Sequence, residues 1–142
     1  RSDILPFEFT DHYAVEMGDI IDRVFLSFER LIKADDLSAL KLTTNRLEED
    51  AWGTASKIAR PFNIDPGYIE LSKVVLASTK NSYHRICIGN GIFAGVTMQF
   101  KNNNYHFFPW TYPDYKSTEC QRFFLRVRQI YRSQTNNQNS NS

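Results

Sequence analysis

The stretch that decides the fold is residues 71–110, LSKVVLASTKNSYHRICIGNGIFAGVTMQFKNNNYHFFPW. It is rich in β-branched and aromatic residues and is punctuated by three clusters of turn formers, 80–82, 89–91 and 101–104. Between those clusters the chain reads as four strands, over residues 71–78, 83–88, 92–100 and 105–110. Gly89-Asn90-Gly91 has the composition of a tight hairpin loop, because glycine and asparagine tolerate positive φ. The expectation is an antiparallel meander.

Working outward, residues 62–65 (Phe62-Asn63-Ile64-Asp65) read as a further short strand, stopped by Pro66-Gly67 as a turn. Upstream, Asp35 or Asp36 caps a helix whose apolar positions Leu37, Leu40, Leu47 and Ala51 recur at helical spacing, with Leu42 broadening the stripe. Its acidic start complements the helix dipole, and Gly53 ends it. Residues 21–32 mix alternation with β-branched and aromatic side chains, which favours a strand. Residues 4–9 form an extended, alternating segment that needs a neighbour, followed by a helical turn from His12 to Met17 that Thr10 or Asp11 caps and Gly18 closes. Downstream, Ser117 or Thr118 caps a helix with Phe123, Phe124, Val127, Ile130 and Tyr131 on one face and most of its arginines elsewhere. The polar tail, residues 133–142, is expected to be disordered. Hairpins in the middle with helices at intervals give an α+β fold: a single domain over residues 1–132, with helices packed on an antiparallel sheet of about five or six strands.

Composition sets the outer limits. The 142 residues carry 17 Lys+Arg against 16 Asp+Glu and are 42% hydrophobic, enough apolar chain for one core. That charge balance gives no support to general nucleic-acid binding. No apolar run approaches a membrane span. Cys87 and Cys120 sit in apolar contexts and read as small core residues, and the scattered histidines make no zinc pattern.

Candidate chemistry concentrates at turns and strand ends. Asp65, at the end of its strand and before a rigid turn, presents a carboxylate as general base or metal ligand, unless it only accepts hydrogen bonds from its own turn. His84 and Arg85, with Lys80 across the turn, suit an anion. Adjacent strand residues point to opposite faces, however, so both face one pocket only if a bulge intervenes. Tyr68 and Tyr112 offer rings for stacking, within an aromatic loop 110–115 that also contains Asp114 and that serves equally as a lid over the core. Asp11 and Tyr13 lie near the start, and Asn63 stands beside the candidate carboxylate. Convergence of Asp11, Tyr13 and Glu16 with Asp65 and Asp114 would make an oxygen-ligand cation site. Convergence with Lys80, Arg85 or His84 would make an acid/base or anion site. No GxSxG or HExxH motif occurs, and the glycine-rich turn lacks the lysine and following helix of a phosphate loop.

Several of these stretches in order, Phe7 to Tyr13 with Glu16-Met17-Gly18, Leu42 to Glu48, Asn63 to Tyr68, His84-Arg85-Ile86, Gly91 to Ala94 and Trp110 to Tyr115, resemble a prokaryotic family known as domain of unknown function 4416. The resemblance runs from about Phe7 to the last helix. It implies an intracellular, cytoplasmic single-domain protein, and a family pattern with a further strand and helix upstream of this chain. A sheet edge left free by their loss would invite a homodimer. Departures from the pattern are His12 and Cys87, where tyrosine is usual, and Gly95, where an acidic residue often lies. GTP-binding labels on some relatives find no phosphate loop here.

The function these residues favour is binding or turnover of an anionic small molecule or nucleotide, with Asp65 and His84 as proton-transfer groups and Asp11, Tyr13, Asn63, Tyr68, Lys80, Arg85, Tyr112 and Asp114 around the ligand. The residues name no cofactor. The alternative is an interaction module without chemistry, presenting Phe107, Phe108, Trp110 and the arginine-bearing helix to a partner protein. RNA binding through Tyr83, Tyr105, Phe107 and those arginines ranks below both.

Overall fold

In the computed structural model, residues 1–6, 22–52 and 61–140 are described, with side chains to residue 137. Strands β1 (Leu5–Pro6) and β2 (Asp22–Arg23) form a small antiparallel ribbon. After a 3-10 turn (Ala34–Asp36) come α1 (Leu37–Ala51), β3 (Gly67–Ile69), β4 (Lys73–Ser78), β5 (Ile86–Cys87), β6 (Phe93–Lys101) and β7 (Asn104–Phe107). A second 3-10 turn (Pro113–Lys116) leads into α2 (Thr118–Ser140). The fold is α+β, with β3 to β7 forming one antiparallel five-stranded sheet.

Alternation along β4 splits the apolar residues between two cores. Val74 and Leu76 join Met98, Tyr105, Tyr115, Cys120 and Phe124 on the α2 face, whereas Val75 and Ala77 join Leu37, Ile92 and Ala94 on the α1 face. Helices on both faces explain why this strand is apolar at every position from Val74 to Ala77.

The sheet is not the expected meander. β4 pairs with β6 rather than β5, and β5 and β7 share the other edge of β6, β5 at Phe93–Ala94 and β7 at Met98–Lys101. A bulge at Thr97 shifts the register, since Val74 lies opposite Met98 but Val75 opposite Val96. The bulge rotates β6 so that Val96 packs on the α1 face and Met98 on the α2 face. The turn over residues 89–91 does close a hairpin between β5 and β6, with positive φ at Gly89, Asn90 and Gly91. Asn102 and Asn103, also at positive φ, turn β6 into β7.

Other expectations are corrected by packing. Residues 62–65 are not a strand, and Pro66-Gly67 is not a turn: Ala77 N–H donates to Pro66 O, and Gly67 opens β3 opposite Leu76. A Cβ on Gly67 would stand 2.3 Å from Val75 O, so glycine is required there for close approach of two backbones. Residues 21–32 form only the two-residue β2, because Phe25 docks its ring on Tyr115, Phe123 and Phe124 instead of continuing a ladder. On α1, Leu37 is buried but Leu47 is 52% exposed, and Lys41 and Glu48 occupy the inward face. The last helix continues to Ser140, past the residues expected to be disordered, and Gln134 Nε2 donates to Glu29 O at 2.8 Å. Ser117 caps that helix as expected, its hydroxyl accepting from Cys120 N–H. Cys120 is buried but Cys87 is exposed, and both are free thiols. The expected helical turn at residues 12–17 and Gly53 lie outside the described residues.

Replacing Gly67 with Ala forces β3 and β4 apart, and a loss of about 1–3 kcal/mol is expected from overpacking. Urea denaturation should show a lower midpoint with an unchanged m-value.

Candidate functional site

On the outer edge of β6, residues 95–97 fall between β5 and β7 and have no strand partner there among the described residues. Buried carbonyls demand donors. They receive them from side chains of the loop after β7: Trp110 Nε1–H donates to Val96 O at 2.9 Å, and Thr111 Oγ1–H to Thr97 O at 2.6 Å. Thr111 Oγ1 also accepts from Phe108 N–H at 2.8 Å, which closes the loop on itself. Trp110 is further fixed by stacking on Phe108 at 4.8 Å and on His84 at 5.0 Å. With its N–H engaged and two rings stacked on it, Trp110 is a wall.

This wall encloses one side of a recess lined by Asp65, Leu76, Ala77, Ser78, His84, Arg85, Gly95, Val96, Thr97, Trp110 and Tyr112. The recess has a cavity volume of about 40 Å³, room for about three water molecules at 10–15 Å³ each. Four of the residues expected to carry function, Asp65, His84, Arg85 and Tyr112, therefore meet.

His84 and Arg85 both reach it because β5 begins only at Ile86. The turn before it, closed by Arg85 N–H donating to Ser82 O, breaks the alternation that would separate them. Gly95 is the complementary feature: a Cβ there would lie 3.2 Å from Arg85 Cγ and 3.4 Å from His84 Cδ2. The side chain missing at Gly95 is thus the space these two side chains use. Arg85 Nη1 donates to Ser78 Oγ at 2.8 Å and to Lys80 O at 3.0 Å. Among the described residues no carboxylate lies within ion-pairing distance of this guanidinium. His84 Nδ1 lies 3.2 Å from Ser82 Oγ. Desolvation, and secondarily the Arg85 charge, hold its pKa below the ordinary histidine value, so the ring is neutral at pH 7.

Asp65 is supported from behind by α1. Lys41 Nζ donates to Ile64 O at 2.7 Å and lies 3.9 Å from Glu48 Oε1 and 3.7 Å from Asp65 Oδ1. Glu48 Oε1 accepts from Ile64 N–H at 2.8 Å. Two side chains one heptad apart thus satisfy both backbone groups of one residue, in place of the strand expected at 62–65. Asn63 Nδ2 donates to Asp65 Oδ2 at 3.0 Å, so the hydrogen bond comes from a side chain two residues back rather than from the following turn.

The other expected positions lie elsewhere. Lys80 is exposed and contributes only its backbone carbonyl to Arg85. Tyr68 packs in the α1-side core. Asp114 is buried away from the recess lining, paired with Arg23, whose guanidinium also lies over the Tyr115 ring. Burial raises the Asp114 pKa above the ordinary carboxylate value, against the opposing pull of Arg23, and its Oδ1 has no hydrogen-bond partner among the described residues. Asp11 and Tyr13 lie outside the described residues. Among the described residues there is no cluster of three or more metal-ligating side chains and no helix long and apolar enough to cross a membrane.

Sequence reading passed over Ser78, whose position in the Ser-Thr-Lys turn was the only signal, and Lys41 and Glu48, whose shared helical face was legible. An SxxK spacing, read from the sequence as absent, stands at Ser38-Ala39-Leu40-Lys41. That spacing forms no catalytic pair: Ser38 Oγ donates to Gly89 O, and Lys41 is held by Ile64 O.

The chain matches the family model described as Domain of unknown function (DUF4416) over residues 1–131, and it belongs to that family. No curated protein and no solved structure matches it.

Three outcomes are expected. Lys41→Met removes the buried cation beside Glu48 together with the donor to Ile64 O, and should lower stability by about 3–5 kcal/mol. Adding Glu48→Gln to that variant should recover part of the loss, as a double-mutant cycle in urea would show. Asp114 supplies a pH signature. Its folded-state pKa is raised above 3.8, so the folded state holds its proton more tightly than the unfolded chain. The associated stability is present below pH 3.8 and is lost as pH rises through the native pKa. Asp114→Asn should remove that decline, seen by comparing denaturation midpoints from pH 3.5 upward.

Proposed function

We propose that this member of the DUF4416 family binds a small anionic molecule in the recess beside β6, with Arg85 as the anion anchor. One observation carries the reading: Arg85 is fixed by two neutral acceptors, Ser78 Oγ and Lys80 O, and no carboxylate compensates its charge among the described residues. A guanidinium held in place by neutral partners keeps its full attraction for an anion and loses little side-chain freedom on binding. Asp65 and neutral His84 border the same space and are the groups available to move a proton if the bound molecule is turned over. Tyr112, 46% exposed, supplies a ring at the rim. A cavity near 40 Å³ seats an anionic head, so the base of a nucleotide would lie outside it. The free thiols Cys87 and Cys120 support an intracellular setting.

The competing reading, an interaction surface, is supported by Tyr83 at 84% and Ile86 at 72% exposure on the β5 side of the recess. A thermal-shift series separates the two. At 100 times its Kd an anion bound only by the folded chain stabilises it by about 2.7 kcal/mol, a shift of several degrees. The shift should disappear in Arg85→Ala and persist in Ile86→Lys. If carboxylates, phosphate and nucleotides all fail to shift the folded chain, the binding proposal is wrong. Loss of a self-association or partner signal in Ile86→Lys would then favour the interaction surface.

A further inference from the structure

The hydrogen bonds already made by Ser78 and Arg85 determine what remains for a ligand. Both Nη1 protons of Arg85 are engaged, by Ser78 Oγ and Lys80 O, which leaves the Nε–Nη2 edge of the guanidinium. That edge carries two parallel N–H bonds and matches the two oxygens of a carboxylate in one plane. Ser78 Oγ accepts twice, from Arg85 Nη1 at 2.8 Å and from Lys80 N–H at 3.1 Å. Its two lone pairs are therefore occupied, and its own proton has no acceptor among the described residues. Ser78 lines the recess, so this proton adds a third donor at the cationic end.

The opposite border is Asp65. Its side chain is 45% exposed, and Lys41 stands 3.7 Å from Oδ1, beyond hydrogen-bond distance, so Oδ1 retains its accepting capacity. Arg85 and Asp65 line one recess but make no ion pair, leaving a gap between a donor-rich end and an acceptor end. The charge of this gap selects the anion: Asp65 repels a phosphate monoester, which carries about −1.5 to −2 at pH 7, more than it repels a monoanion.

Resting on the anion-binding reading above, we infer that the ligand is a small carboxylate bearing an adjacent hydrogen-bond donor: an amino acid or hydroxy acid. Its carboxylate lies on the Nε–Nη2 edge of Arg85 and the Ser78 hydroxyl, and its ammonium or hydroxyl on Asp65. Ser78 is a binding residue of this site, and Asp65 sets the preference for the second group.

The test is an NMR titration of the full chain with glycine, glycolate, acetate and inorganic phosphate, following backbone amides around Ser78, Arg85 and Gly95. Glycine or glycolate should bind about tenfold tighter than acetate, the value of one added charge-assisted hydrogen bond. Arg85→Lys keeps the charge but loses the fork, and should weaken every carboxylate about tenfold or more. Ser78→Ala should weaken all three carboxylates by a similar, smaller factor, whereas Asp65→Asn should abolish the advantage of glycine over acetate. Dispersed spectra and unchanged melting temperatures identify the variants that still fold, and Asp65→Asn, at a partly exposed position, provides a test independent of the Arg85 variant. If phosphate binds more tightly than any carboxylate and Arg85→Lys weakens it, the amino-acid or hydroxy-acid inference is overturned while anion binding stands. Equal affinity for glycine, glycolate and acetate overturns the role of Asp65 and with it the ligand class. No perturbation by any of the four probes overturns both.

Discussion

The outer edge of β6 between β5 and β7 imposes the constraint on which the candidate site depends. Three residues, Gly95, Val96 and Thr97, lie there without a neighbouring strand among the described residues. The carbonyls of Val96 and Thr97 must find donors or bear a desolvation penalty of about 1–3 kcal/mol each. Trp110 and Thr111 supply those donors from one loop. Holding the indole at that edge brings it against His84, and the side chain missing from Gly95 leaves space for His84 and Arg85. The recess is thus a consequence of how a sheet edge is closed, and the residues that wall it are not free to leave.

A second set of polar contacts fixes the acidic border of the same space. Lys41 and Glu48 occupy inward positions of α1 where the apolar stripe would otherwise continue, and they hold Ile64 by its carbonyl and its amide. Buried ionic groups rarely add stability over a well-packed apolar alternative. Here they give position: the residue after Ile64 is Asp65, placed at the recess with one carboxylate oxygen bonded by Asn63. The two borders come from different elements, Asp65 through α1 and Arg85 through the β4–β5 turn.

Other charged and aromatic residues that look functional in the sequence are used for cohesion. Asp114 and Arg23 tie the β1–β2 ribbon to the start of α2, where Phe25 packs among Tyr115, Phe123 and Phe124. Arg128, one of the arginines read as surface charge, lies 3.6 Å from the Phe100 ring centroid and donates to Leu71 O. Its aromatic contact and hydrogen bond dock α2 on the sheet, a role that net charge does not disclose.

The sequence by itself determined the α+β class, the two helices among the described residues, the hairpin at Gly89–Gly91 and the turn at Asn102–Asn103, because helical periodicity, the Ser117 cap and positive-φ residues are local properties, whereas Asp36 makes no side-chain cap on α1. It also singled out Asp65, His84, Arg85 and Tyr112, since polar residues at turns are visible without tertiary contacts. Only the tertiary structure decided that β4 pairs with β6, that Gly67 serves backbone approach rather than a turn, and that His84 and Arg85 share one space. The same holds for Ser78, whose role follows from two hydrogen bonds it accepts, and for Asp114, withdrawn into an ion pair with a residue ninety-one positions away. In each case the deciding contact is between residues whose proximity depends on strand order and register, and neither is encoded in the local pattern of the residues concerned.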